Sequence, residues 1–266
     1  MNTIIAPIDF SDASTNALSF AAEACKRASA QLIVVNVLVK GEDEAAAIKK
    51  LKTTTDGLKK SLGSDLKCES LVTSGSLTGA LKKIIAERKP DLIVMGTKGA
   101  SGLKRILIGS NTVNVIAKNK VPVFVVPEAA KFKNFLRKGK NRIVLATDLT
   151  ALKNENALNI LKEITLLIIE PKLKVLNVRP KNTYLLDMTR MERNAILSAF
   201  SPEIECETAT VFSSNVMGGI KYYLDIHKDT GLLAMIARDS GNLIQKHYTR
   251  EMASHTKFPL LVLHDA

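Results

Sequence analysis

The chain has no tryptophan, 4 tyrosines and 8 phenylalanines in 266 residues, and no stretch interleaves aromatic with basic residues in the pattern that stacks single-stranded bases. Cysteine is equally scarce. Cys25, Cys68 and Cys206 show no CxxC spacing and no clustered histidine partners, so neither a disulfide framework nor a zinc site is supported, and a reduced, cytoplasmic setting is expected. No apolar run approaches the roughly 18 residues that a membrane span needs. The opening MNTIIAPIDFSD reaches Asp9 too soon for a secretory apolar segment. Two glycine signatures are also missing: neither GxxxxGK[ST] nor GxGxxG occurs anywhere, which excludes the P-loop and the dinucleotide fingerprint.

What is present is hydrophobic mass and positive charge. With 46% hydrophobic residues the chain can bury one large or two medium cores. The formal charge of +12 is uneven, because residues 1–138 hold 22 Lys and Arg against 12 Asp and Glu, and residues 139–266 hold 16 against 14. A basic half attracts phosphorylated ligands or nucleic acid. The pairs Lys49-Lys50, Lys59-Lys60 and Lys82-Lys83, however, fall where exposed helix faces are expected, and no base-reading element accompanies them, so nucleic acid is not the expected partner.

The two halves echo one another. TIIAPIDFS (Thr3 to Ser11) is answered by RIVLATDLT (Arg142 to Thr150), DLIVMG (Asp91 to Gly96) by GLLAMI (Gly231 to Ile236), and VPVFVVP by FPLLVLH. Asp148 then stands opposite Asp9, Met235 opposite Met95 and Pro259 opposite Pro122. Three landmarks in register indicate duplication. In the first half, β-branched runs near 3–9, 31–38, 67–72, 91–95 and 121–126 alternate with helical periodicity near 12–29, 43–62, 76–88 and 110–118. In the second, strands are predicted near 142–147, 173–178, 204–210, 231–236 and 259–263. This βαβα order predicts an α/β fold of two tandem doubly wound domains, each a parallel sheet with helices on both faces. The expected bounds are 1–127 and 141–266, with 128–140 as a charged linker.

After the strand LIVM comes Gly96-Thr-Lys-Gly99-Ala-Ser-Gly102, and then Gly109-Ser110-Asn111-Thr112 opens an apolar-periodic helix. Glycines let backbone N–H groups approach phosphate oxygens closely, and the amides of a helix N-terminus add positive potential. Ser110 and Thr112 are expected to add hydroxyl donors. The spacing Gly-x2-Gly-x9-Gly-Ser resembles the nucleotide-binding motif of the universal stress protein family, and the resemblance covers the whole first half, from IIAPIDFS to VPVFVVP. It implies five strands per domain in the order 3-2-1-4-5, and a site made of Pro7, Ile8, Asp9, Val37, Met95, Gly96, Gly99, Gly109, Ser110, Asn111 and Thr112. Within that set it implies Asp9 at the ribose or a metal-bound phosphate, and backbone near Val37 at the adenine edge. The implied ligand is ATP, ADP or AMP, with Mg²⁺. The resemblance also implies that the apolar last strands pair the two domains within one chain, and a homodimer of chains is compatible with it.

The second half departs where the phosphates would lie. Ile236 stands for Gly96, Asp239 for Gly99 and Asn242 for Gly102, while Lys246-His247-Tyr248-Thr249 replaces Gly109-Ser110-Asn111-Thr112. The domain is therefore expected to be a non-binding partner. His247 and His255 lack acidic or cysteine companions at metal spacing and are expected to be surface or packing residues. The functional expectation is a stress-response regulatory protein that binds nucleotide in its first domain. Two alternatives stand beside it: a slow ATP-hydrolysing enzyme, disfavoured because no general base or in-line nucleophile accompanies Ser110, and a ligand-free scaffold or nucleic-acid-associated protein.

Overall fold

Short apolar runs become the strands. The computed structural model describes residues 1–97, 109–135, 141–153, 156–181, 187–238 and 258–265. Its first half alternates β1 (Thr3–Ile8), α1 (Asp12–Ala28), β2 (Gln31–Leu38), α2 (Glu44–Leu62), β3 (Cys68–Ser74), α3 (Leu77–Arg88), β4 (Leu92–Gly96), α4 (Ser110–Lys118) and β5 (Val123–Val126). These strands pair in parallel in the order β3-β2-β1-β4-β5. After the short α5 (Phe132–Phe135), the second half runs β6 (Arg142–Ala146), α6 (Asn156–Leu166), β7 (Lys172–Arg179), α7 (Asp187–Phe200), β8 (Glu205–Phe212), α8 (Val216–Ile226), β9 (Thr230–Arg238) and β10 (Leu260–Asp265). Its parallel order is β8-β7-β6-β9-β10. Each half is thus a doubly wound sheet in the order 3-2-1-4-5, as the repeat and the resemblance imply.

The central strands carry the cores. Ile4, Ile5, Ile33, Val34, Val35 and Ile93 in the first half, and Ile143, Val144, Leu145, Leu232 and Leu233 in the second, are wholly buried, which is why these runs lack the polar alternation of a one-sided sheet. Helix α1 meets its sheet through small residues, Ala13, Ala17, Ala21 and Ala22, with Leu18 and Cys25, so its backbone approaches the strands closely.

The chain divides into two compact units, with the changeover between Phe132 and Lys133. The segment after Pro127, expected to open the linker, is docked on the first unit. Asn16 Nδ2 donates to the carbonyls of Pro127 (3.2 Å) and Ala130 (2.8 Å), and the Phe132 ring meets Phe20 edge-on at 5.3 Å.

Backbone detail repeats as faithfully as sequence. Phe10 (φ 60°) and Leu149 (φ 58°) both take the left-handed conformation, as do Ser29 (φ 55°) and Glu170 (φ 49°), although that conformation costs a residue with a Cβ about 1–2 kcal/mol. In both halves Phe10 and Leu149 follow the aspartate just beyond the first strand. Asp9 Oδ1 accepts the Ser11 N–H at 3.1 Å and Asp148 Oδ1 accepts the Thr150 N–H at 3.0 Å. These bonds close the same tight turn twice.

Candidate functional site

Every strand of a parallel sheet ends on one edge, and the connections of the first unit diverge on either side of β1. The crevice at the carboxyl end of β1, between β2 and β4, is the switch point at which such sheets bind ligands. The structure brings most of the expected residues to this edge. Pro7 and Ile8 end β1, Asp9 follows, Val37 lies near the end of β2, and Met95 and Gly96 end β4. Pro7, Ile8 and Met95 are buried, so they offer main chain, whereas Asp9 is exposed and Val37 is half-buried. Gly99 and Gly102 lie outside the described residues. So do Asp239, Asn242, Lys246 to Thr249 (with His247) and His255 of the second half.

Helix α4 begins at Gly109 without a side-chain cap. Among the helices whose N-caps are described, α1, α2, α3 and α8 are capped by the side chains of Ser11, Asp43, Ser76 and Asn215. With no side chain at the cap, the Ser110 and Asn111 amides and the positive end of the helix dipole are left to whatever lies in front. The side chains of Ser110 and Asn111 are exposed at this terminus. The Gly109 N–H donates to the Thr97 carbonyl at 2.5 Å, which ties the start of α4 to the end of β4.

Thr112 differs from expectation. Its hydroxyl is buried and donates to the Gly96 carbonyl at 2.9 Å, and its amide goes to the Gly109 carbonyl at 3.0 Å. A residue in the third helical position turns inward here, so Thr112 holds the strand end against the helix, and its hydroxyl proton is committed within the protein. Thr112→Val removes the donor and strands a buried carbonyl. The expected cost is about 1–3 kcal/mol, read as a shift in the urea midpoint; an unchanged midpoint would show the bond to be dispensable.

Gly96 has a second reason to be glycine. A Cβ placed there would lie 2.6 Å from the Ala13 carbonyl oxygen and 2.8 Å from its carbon, so the end of β4 and the first turn of α1 meet backbone to backbone.

One positioning residue escaped the sequence reading. Asn36, buried within β2, donates from Nδ2 to the Ile8 carbonyl at 2.9 Å, and Asn177 does the same to Thr147 at 3.0 Å. Each asparagine fixes the last peptide before the aspartate. The signal was a single amide inside an apolar run, LIVVNVLV and LKVLNV.

The second unit presents a different chemistry at the same edge. Arg238, at the end of β9, places Nη1 3.0 Å from Asp265 and 2.8 Å from the Ala151 carbonyl. Its Nη2 lies 2.5 Å from the Thr150 carbonyl and 3.4 Å from Asp148. The guanidinium is buried, and Asp265 is 1% exposed. Ile236 stands where Gly96 does, and Ala151 to Lys153 are not helical, although the matching residues in the first unit form the first turn of α1. Strand β9 runs two residues past Ile236, to Arg238, whereas β4 stops at Gly96.

The three cysteines are all free. Burial pushes the Cys25, Cys68 and Cys206 thiols up from their ordinary range, so the thiolate is disfavoured in each. Among the described residues, no group of three or more His, Cys, Asp or Glu is placed to hold a metal ion, and no described helix is long and apolar enough to cross a membrane.

Comparison with known proteins follows the same division. The universal stress protein family model matches residues 1–127. One universal stress protein of Methanocaldococcus jannaschii is 37% identical over 76 residues, which is 28% of this chain and 47% of that protein. The match therefore spans about half the length of that relative. A second from the same organism is 29% identical over 147 residues, 48% of this chain and 83% of its own length. The crystal structure of a universal stress protein from Archaeoglobus fulgidus aligns over 100% of this chain and 99% of its own with a TM-score of 0.71 at 20% identity, a likeness of fold across both halves.

Proposed function

Because residues 1–127 belong to the universal stress protein family and the family fold runs through both halves, we propose that the protein is a regulatory nucleotide binder. In this reading the first unit takes ATP, ADP or AMP, and the second takes no nucleotide. The observation that carries the proposal is the uncapped N-terminus of α4 at Gly109, tied to the end of β4 and set on the edge where Asp9 follows β1 and Gly96 ends β4. That arrangement suits phosphate: backbone donors, a helix dipole and exposed Ser110 and Asn111 side chains converge on it. Half-buried Val37 and the buried strand ends beside it suit the apolar face of a base.

Mg²⁺ fits as a companion of the phosphates, since it is commonly held by one or two carboxylates together with substrate phosphates. Asp9 is the carboxylate that would hold it. When bound, the ion would offset phosphate charge, while Asp9, steadied by the Ser11 amide and hydroxyl, keeps its place at the strand end.

For the second unit, support comes from Arg238. Its guanidinium is already matched by Asp148 and Asp265, so it offers a phosphate little. Isothermal titration is expected to give one adenine nucleotide per chain, and a stoichiometry of two would refute the asymmetry.

Gly109→Asp tests the phosphate role directly. Aspartate is a good N-cap residue and complements the helix dipole, so α4 should gain about 0.3–1 kcal/mol. The same carboxylate would face a phosphate, and one like-charge pair at about 4 Å in an effective dielectric near 20 costs about 4 kcal/mol. Affinity for ADP should fall by more than about a hundredfold while the melting temperature holds or rises. Normal ADP binding by the folded variant would remove α4 from the site.

A further inference from the structure

Strand β8 is the last of the second unit's sheet, and no described strand lies beyond it. The Ser213 N–H donates to the Arg179 carbonyl at 2.9 Å, so the main chain at odd-numbered positions of β8 faces β7. That of Cys206, Thr208, Thr210 and Phe212 faces away, where no described strand pairs with it. Natural edges of this kind are guarded by lysine, proline, a bulge or an inward charge. β8 holds neither lysine nor proline, and its pairing with β7 runs unbroken from Glu205 to Phe212. Its two charges, Glu205 and Glu207, are bonded to Lys172 and Lys174 of β7.

The flanks of this edge are apolar. Helix α8 covers the face that carries Val178, since a Cβ on Gly219 would lie 2.5 Å from Val178 Cγ1. On that face Tyr222, 61% exposed, lines a groove with Gly218, Gly219 and the Thr210 to Ser213 end of β8. Phe212, 51% exposed, projects to the opposite face, where its ring stacks with the Arg179 guanidinium at 5.2 Å. A strand added at this edge is therefore flanked by an aromatic ring on each face. The first unit keeps polar groups at the same places. Ser74 pairs with Leu38 as Phe212 pairs with Arg179, and exposed Lys83 stands seven residues after its N-cap, as Tyr222 does.

The sequence of β8 is complementary to itself. Laid antiparallel about a twofold axis at Ala209, it sets Thr208 opposite Thr210 and Cys206 opposite Phe212, so every outward-facing residue joins a hydrogen-bonded pair. Ala209 then meets its own copy and Glu207 meets Val211, with no like charges opposed. Moving the axis to Thr208 or Thr210 drops Phe212 or Cys206 from the pairing, and moving it to Glu207 sets that carboxylate against its own copy.

We propose that β8 is a self-association edge, at which a second copy of this chain adds its own β8, antiparallel and in the Ala209 register, between Tyr222 and Phe212. The edge is separate from the nucleotide reading of the first unit, so either can fail without the other.

Sedimentation equilibrium of the full chain should show a monomer–dimer equilibrium. Thr208→Pro tests the edge, because it removes an N–H that faces away from β7 and leaves the monomer's own ladder intact. The dimer loses that bond in both copies and should dissociate at least about tenfold more readily. Ala209→Cys in a Cys206→Ser background tests the register. Opposite residues in a non-hydrogen-bonded pair lie about 4.5 Å apart at Cα, within disulfide reach, so mild oxidation should link two chains through the introduced thiols. Ser74→Cys, on the edge strand β3 of the first unit, should stay unlinked in the same background. A parent that remains monomeric across the concentration series, a dimer of undiminished strength in folded Thr208→Pro, linkage through Ser74→Cys, or no linkage through Ala209→Cys would each overturn the proposal. Linkage through Ala209→Cys alone decides the matter even if Thr208→Pro does not fold.

Discussion

Arg238→Met is expected to destabilise the second unit by about 3–5 kcal/mol, the usual consequence of removing one partner from a buried ion pair. Methionine fills much of the same space, so packing changes little and the electrostatic loss dominates. What remains is Asp265, 1% exposed, bonded to the Lys153 amide at 2.7 Å but without the Arg238 guanidinium. The Thr150 and Ala151 carbonyls lose their donor at the same moment. Asp265→Asn separates the two contributions. On its own it should cost less, because Arg238 keeps Asp148 and both carbonyls. Combined with Arg238→Met it should recover part of the loss, with a coupling of about 1–3 kcal/mol. Hydrogen exchange localises the effect: the amides of β6, β9 and β10 should lose protection. A cost below about 1 kcal/mol, or strict additivity of the two substitutions, would mean that the cluster is solvated and contributes little.

The difference between the two units also shows what a sequence makes legible. Strands stand out because a strand buried on both faces must be apolar throughout, and LIVVNVLV or GLLAMI can hardly be anything else. The glycine loop stands out because few other needs place glycines at that spacing between a strand and a helix. Side-chain direction is harder to read. Thr112 carries the right group for phosphate, but a buried third helical position aims it at the Gly96 carbonyl. Arg238 follows an apolar run and reads as the first charge of a loop, while Asp265 reads as part of a polar tail. Only the parallel pairing of β9 with β10, which sets Asp265 beside Arg238 in register, makes them a buried pair.

The second large expected effect lies at Gly96. Gly96→Ile gives the first unit the residue that the second already has. Its Cβ alone would lie 2.6 Å and 2.8 Å from backbone atoms of Ala13, a contact that no rotamer can relieve. Either β4 withdraws from α1 or the first turn of α1 unwinds. Unwinding removes the Ser11 cap on the Ser14 amide, worth about 1 kcal/mol, in addition to an overpacking cost of about 1–3 kcal/mol. The total expected loss is about 2–4 kcal/mol. Nucleotide binding should go with it, because Asp9 is held by Ser11 and the Gly96 carbonyl is the anchor for Thr112 at the start of α4. Gly96→Ala is the graded control: it introduces the clash without the bulk, and should lose stability and affinity to a smaller degree in the same direction. The reciprocal change, Ile236→Gly, should cost about 1 kcal/mol, since Ile236 is only half-buried and full burial of such a side chain is worth about 1.5–3 kcal/mol. It should not create a second nucleotide site, because Arg238 remains paired with Asp148 and Asp265. A Gly96→Ile protein that binds ADP normally and melts with the parent would show that the close approach of β4 to α1 is not what the site requires.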